Sequence, residues 1–278
     1  MRYRSILVQV DNAYGARARV QAAARLAVEH GASLTGVFLK SEAAPAYLIS
    51  EGLMTSAEAV DVFFKEREAE AAKANDEARL LFEQALSVGG IEASWHTLNG
   101  VDQEHIVNYA RRHDLAILPR NMQVAPTDEV ISVDKVAIAS GGPVLILPEA
   151  GYPATFGQRI LVAWKDSRES ARALRDAWPF LAAAKEVHFV TAVQDGARHL
   201  DDVMQRHLRE HGCNASRLII DRDTDVPTGE VIRRHIDLLG ADMVVMGLFG
   251  RSRIQEFVLG GVSRDMLGHL TMPVLTSH

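Results

Sequence analysis

A single cysteine, Cys213, in 278 residues excludes an intramolecular disulfide and any multi-cysteine zinc or iron–sulfur site within one chain. It follows Gly212 among polar residues and reads as a small spacer, not a nucleophile. No apolar run reaches the ~20 residues that a transmembrane helix needs. The opening Met1-Arg-Tyr-Arg-Ser-Ile-Leu-Val8 lacks a signal-peptide hydrophobic region, so a cytoplasmic protein is expected. Positive charge is in deficit, with 30 Lys and Arg against 36 Asp and Glu; the net −6 argues against sequence-independent nucleic-acid binding. G-x-x-x-x-G-K-[ST], G-x-G-x-x-G and G-x-S-x-G are all missing, which removes the usual phosphate-loop, dinucleotide and nucleophile-elbow signatures. Only three tryptophans occur, Trp95, Trp164 and Trp178; they are scattered and read as packing residues.

What is present is a soluble, globular composition, 47% hydrophobic and 24% charged, at a length sufficient for two cores. The chain repeats itself. Arg4-Ser-Ile-Leu-Val-Gln-Val10 matches Gln158-Arg-Ile-Leu-Val-Ala-Trp164, and Asp114-Leu-Ala-Ile-Leu118 matches Asp242-Met-Val-Val-Met246. The copies close alike, Gly142-Pro-Val-Leu-Ile-Leu147 against Met272-Pro-Val-Leu-Thr276. Each first run is followed by an alanine- and arginine-rich helix, Gly15 to His30 and Ser167 to Ala184. Short apolar runs alternating with helices predict parallel strands buried on both faces, five strands and four helices per copy. The fold class is therefore α/β, two doubly wound open sheets, spanning residues 1–148 and 157–278. The Pro- and Gly-rich Pro148 to Gly157 is the linker. After Lys40 the first copy carries a long insertion, with Ser56 to Leu86 reading as an amphipathic helix laced with opposite charges.

The most informative stretch is Gly247-Leu-Phe-Gly250-Arg251, then Gly260-Gly261-Val262-Ser263. Glycines directly after an apolar strand, and again at a helix start, let bare backbone N–H groups approach a phosphate at a helix N-terminus. This segment resembles the G-x2-G-x9-G-[ST] nucleotide motif of the universal stress protein family, with Gly261 standing where Ser or Thr is usual. The resemblance covers both copies and implies strand order 3-2-1-4-5 and an adenine nucleotide, ATP or a relative, with Mg as its counter-ion. It implies that backbone N–H groups at Gly247, Gly250, Gly261 and Val262 hold phosphates, beside Gly260, with Ser263 adding a hydroxyl and Arg251 a guanidinium. Asp166 is expected at the ribose and Val193 at the adenine.

The first copy lacks this chemistry: Pro119 and Met122 stand where Gly247 and Gly250 stand in the second, and Glu129 to Asp134 holds no glycine. It does keep Asp11 at the place where the family's nucleoside-contacting aspartate lies, a place held by Lys165 in the second copy. The expected function is nucleotide-dependent stress response or regulation without dedicated catalysis, slow ATP hydrolysis at most. The alternatives are an adenylyl- or phosphoryl-transferring enzyme of the same fold, drawing on Asp166, Asp223 or Asp225, and a nucleotide-free scaffold. The expected partners are the nucleotide and, for each half, the other half, through the fifth strands at Val144–Leu147 and Val274–Thr276. Further homo-oligomers are left open, and neither nucleic acid nor membrane is expected. His207-Leu-Arg-Glu210-His211 spells an inverted zinc-protease signature, but no third ligand is apparent and a solvated helix is the expectation. Ser140-Gly-Gly-Pro143 reads as a turn, and Asp223 to Pro227 as a strand-to-helix turn with Pro227 near the first helical position and Thr228 capping.

Overall fold

The computed structural model describes residues 2–40, 57–99, 103–122, 131–149, 151–192, 202–213, 215–221, 226–248 and 261–278. The first half runs β1 (Ser5–Gln9), α1 (Ala16–His30), β2 (Ser33–Lys40), α2 (Ala57–Ala85), β3 (Ala93–Asn99), α3 (Gln103–Ala110), β4 (Leu115–Pro119), β5 (Asn121–Met122), β6 (Ile131–Ser132), α4 (Val133–Ser140) and β7 (Val144–Leu147). The second runs β8 (Arg159–Ala163), α5 (Arg168–Asp176), α6 (Trp178–Leu181), β9 (Glu186–Ala192), α7 (Asp202–Glu210), β10 (Ala215–Asp221), α8 (Thr228–Leu239), β11 (Met243–Gly247), α9 (Gly261–Gly268) and β12 (Val274–Ser277).

Ten strands form one sheet in the order β10-β9-β8-β11-β12-β7-β4-β1-β2-β3. Each half is thus a parallel sheet of order 3-2-1-4-5, as the family resemblance implies. The fifth strands join them: β12 pairs antiparallel with β7, Leu275 opposite Leu145. Every residue of these two strands is buried. An edge of bare N–H and C=O groups on each half is thereby covered by the other.

Equivalent residues do equivalent work in both halves. The Asp114 carboxylate accepts from the Arg4 and Ser5 amides, and Asp242 from those of Gly157, Gln158 and Arg159, tying the start of the first strand to the fourth. Past the first strand, the Val10 amide donates to Val37 and the Trp164 amide to Val190, both at 2.8 Å.

The long helix of the first half is the crossover between β2 and β3, packed through Ala78 and Phe82 against α1 and β2. Its Asn75 side chain accepts from Trp95 Nε1 and Thr97 Oγ1. Beneath it, Gly36 leaves room for aromatic rings: a Cβ there would lie 2.8 Å from the Trp95 ring and 2.9 Å from that of Phe82. The helix expected from Ser167 to Ala184 is broken. It ends at Asp176, and α6 restarts around Pro179, whose ring cannot continue the α5 hydrogen-bond ladder. The cap of α8 also differs from expectation. Pro227 itself, extended at φ −56° and ψ 134°, is the cap, and Thr228 is the first helical residue.

The linker lies on the protein. Phe156 is buried, with the Arg25 guanidinium 4.8 Å over its ring and Phe180 stacked at 6.4 Å. Next to it, Tyr3 and His30 of the first half meet Phe180 of the second, with ring centroids 5.0 to 6.2 Å apart. Burial holds the His30 imidazole below its ordinary range. Glu29 opposes that shift, while Arg2 and Arg25 add to it.

Three outcomes are expected. Gly36→Ala should cost about 1–3 kcal/mol in urea unfolding, because rings rather than solvent fill the space. Residues 154–278 expressed alone should dimerise through the bared edge of β12; light scattering that finds a soluble monomer at high concentration would contradict this. The unfolded chain protonates His30 near pH 6.5 and the folded chain only below that. Its contribution is therefore complete above about pH 6.5 and is lost as pH falls from there through the lower folded value. His30→Gln should narrow the Tm difference between about pH 7.5 and about pH 5.5 in thermal melts.

Candidate functional site

The carboxyl ends of β8 and β11, the first and fourth strands of the second half, mark the topological switch point where open α/β sheets bind ligands. Three segments converge on it by topology: the turn from β8 into α5, the end of β11, and the start of α9. Gly247 is the last residue of β11, level with Ser277 of β12. The next residue, Leu248, is held from both sides, its amide donating to the Ser277 carbonyl and its carbonyl accepting from His278 Nδ1, each at 3.0 Å.

Gly247 has a second reason to be glycine that the motif does not reveal. A Cβ there would lie 2.5 Å from the Glu169 carbonyl carbon and 2.6 Å from the Ser170 nitrogen. The first turn of α5 therefore rests directly on the strand end. That turn is capped by Ser167, whose hydroxyl accepts from the Ser170 amide at 3.3 Å. Burial pushes the Glu169 carboxyl up, but hydrogen bonds from its own backbone N–H and from Ser167, with the Arg168 and His278 charges, hold it below the ordinary range. An ionised carboxylate thus lies in the helix turn against Gly247.

Of the other expected residues, Gly261, Val262 and Ser263 form the first turn of α9; Val262 is half-buried and Ser263 buried. Asp166 is exposed beside Lys165 in the turn before α5. Gly250, Arg251, Gly260 and Val193 lie outside the described residues, as do Asp223 and Asp225. The structure thus sets Gly247 and Gly261 at the end of a strand and the start of a helix.

The corresponding end of the first half is built differently. Beyond Pro119, β5 and β6 pair as a small antiparallel ribbon whose Met122 and Ile131 are buried in the core. Asp11 is engaged: its Oδ2 accepts from Arg19 Nη2 at 2.8 Å and its Oδ1 from the Ala13 amide at 3.0 Å. Arg19 is only 1% exposed, and it also donates to the Gln9 carbonyl and side chain. This cluster escapes a reading of motifs, but the repeat carries its signal. At the repeat offset, Gln9, Asp11 and Arg19 correspond to Ala163, Lys165 and Ala173, so all three change together. The aspartate that the family resemblance assigns to a nucleoside here neutralises a buried guanidinium. Removing one partner of such a pair costs about 3–5 kcal/mol.

His211 stacks on Trp178 at 4.4 Å, and His207 meets the same ring edge-on at 5.3 Å. Among the described residues, no group of three or more His, Cys, Asp or Glu is placed to hold a metal ion. Cys213 is buried, and burial pushes its thiol up to about 11, away from nucleophilic use. Gly141 ends α4 with φ 70°, a turn as expected. No helix among the described residues is long and apolar enough to cross a membrane.

Residues 157–278 match the model of the universal stress protein family. A universal stress protein from Archaeoglobus fulgidus DSM 4304 superposes over 98% of this chain and 95% of its own, at 17% identity and a TM-score of 0.70. A functionally unknown protein from Pseudomonas aeruginosa PAO1 aligns over 99% of this chain and 92% of its own, at 19% identity and a TM-score of 0.59. A putative universal stress protein from Pseudomonas aeruginosa UCBPP-PA14 aligns over 99% and 93%, at 18% identity and a TM-score of 0.58. A comparison with curated protein sequences gives no match. The second half of the chain belongs to the universal stress protein family, and the chain as a whole adopts the fold of solved universal stress proteins.

Proposed function

We propose that the chain binds one adenine nucleotide, ATP or a close relative, at the second half and serves as a nucleotide-dependent regulatory protein of the stress response. One observation carries this reading: Gly247 ends β11 and Gly261 opens α9, so the glycine motif joins a strand end to a helix N-terminus at the switch point. The residues present suit such a ligand. Backbone amides and the partial positive charge of α9 favour phosphate, and a Mg ion would offset the negative charge that Glu169 brings. Gly247, Gly250, Gly261 and Val262 would supply amides beside Gly260, with Arg251 and Ser263 as side-chain donors. Asp166 would meet the ribose and Val193 the adenine. The first half, with Asp11 bound to Arg19 and the ribbon β5–β6 beyond Pro119, takes a supporting role.

A second reading, phosphoryl or adenylyl transfer, draws on Glu169, the carboxylate in the turn that rests on Gly247. Glu169 lies in the supporting turn, and its backbone rather than its carboxylate abuts the strand, so binding without dedicated turnover is preferred.

Calorimetry with ATP and Mg should give one site per chain. A micromolar dissociation constant would correspond to about −8 kcal/mol. Gly250→Val, which sets a branched side chain where backbone must meet phosphate, should reduce binding below detection. Two equivalent sites per chain, or an unchanged affinity in the variant, would remove the assignment. Multiple turnovers that disappear in Glu169→Gln would favour the enzyme reading.

A further inference from the structure

We infer that α5 is a beam through which the first half of the chain positions the root of the glycine loop, with Tyr3 and Asp176 as positioning residues for the ligand. For its ligand this rests on the nucleotide reading above.

The beam touches three things along its length. Its first turn, Glu169 and Ser170, lies against Gly247 with no room for a Cβ between them. In its middle, Arg172 donates to the carbonyl of Gly141, in the turn before β7 of the first half. At its end, Asp176 holds one partner from each half. Its Oδ2 accepts from Ser277 Oγ and its backbone carbonyl from the Tyr3 hydroxyl, both at 2.7 Å. Ser277 closes the circuit, because its carbonyl accepts from the Leu248 amide at the loop root. A continuous set of hydrogen bonds therefore runs Leu248, Ser277, Asp176, Tyr3. Its far end is fixed by ring contacts of Tyr3 with His30 at 5.0 Å and Phe180 at 5.9 Å.

Burial makes this chain stiff. Tyr3 is 5% exposed and Ser277 is 0% exposed, so neither hydroxyl can exchange its partner for water without a desolvation cost. The same burial pushes the Asp176 carboxyl above its ordinary range, against the Ser277 hydroxyl and the Arg172 and Arg175 charges that lower it. At the near end there is no slack either. Backbone rests on backbone at Gly247, so a tilt of α5 moves the strand end that presents the first loop glycine. Coupling of this kind needs contiguous contacts between rigid elements, and here each link is a hydrogen bond or a close backbone approach. The half that carries no glycine loop thus supplies a constraint that the other half uses.

The test uses the full chain in three variants. Tyr3→Phe removes only the hydroxyl, Ser277→Ala breaks the next link, and Gly36→Ala loosens the first half far from α5. In ligand-free protein, hydrogen exchange at the Leu248 amide should quicken in Tyr3→Phe and Ser277→Ala and stay at the wild-type rate in Gly36→Ala. Calorimetry with ATP and Mg should show affinity weakened about threefold to tenfold in the first two, with one site per chain retained, and unchanged in Gly36→Ala despite its lower Tm. Wild-type exchange at Leu248 in both chain-breaking variants overturns the inference, as does an equal change in Gly36→Ala, which would mark a general loss of stability. If wild-type protein takes up no ATP while Leu248 exchange responds as expected, the nucleotide reading fails and the coupling stands.

Discussion

The antiparallel contact between β7 and β12 is the constraint on which the rest of the molecule depends. Each is a four-residue strand that would be the bare edge of its own sheet. Pairing them satisfies both rows of backbone groups and merges two five-stranded sheets into one of ten. The antiparallel sense has a geometric consequence. Strands of the first half end where strands of the second begin, so the carboxyl ends of the second half's strands lie on the same side as the amino ends of the first half's. Tyr3, just ahead of β1, reaches Asp176, and the turn at Gly141 reaches Arg172, for this reason alone.

Within that shared frame the two halves have resolved the same switch point in opposite ways. In the first, a buried arginine is compensated by Asp11 and Gln9, and the ribbon of β5 and β6 seats Met122 in the core. A buried guanidinium demands its carboxylate, so Asp11 has no latitude to serve a ligand without leaving a charge uncompensated. In the second, Ala173 and Lys165 replace the arginine and the aspartate, and the strand ends on glycine. The asymmetry is a swap of one internally satisfied cluster for a strand that ends on glycine.

The fold was largely legible in the sequence because its determinants are periodic and repeated. Apolar runs of four to six residues marked every central strand, and the 154-residue offset between Arg4 and Gln158 identified the two copies. The paired Asp114 and Asp242 were visible as matching positions, although not as the clamps they are. Details that depend on one residue meeting another far along the chain were not legible. Pro179 breaks the helix after α5, but in sequence it sits in an alanine-rich run that continues on both sides. Arg19 is one of several arginines in an alanine- and arginine-rich helix, and its burial follows from where α1 crosses the end of β1. Of the candidate site, the glycine spacing was readable, and the reason α5 presses on the first of those glycines was not.

That last point bears on how a glycine motif is read. Gly247 meets the approach of a helix to a strand end, and the proposed nucleotide would add a second, independent demand, the approach of a ligand to backbone. Sequence spacing cannot tell these apart, since both require the absence of a Cβ at the same position. The structure separates them by direction: the side of Gly247 where a Cβ would stand is filled by Glu169 and Ser170, while its chain runs on into Leu248 and the segment leading to α9. A glycine squeezed on one side by its own protein gives the loop a fixed origin. The position of that origin is set by α5, and α5 is held by hydrogen bonds from both halves of the chain. The first half therefore bears on the end of β11 through geometry, by way of the hydrogen bonds that hold α5.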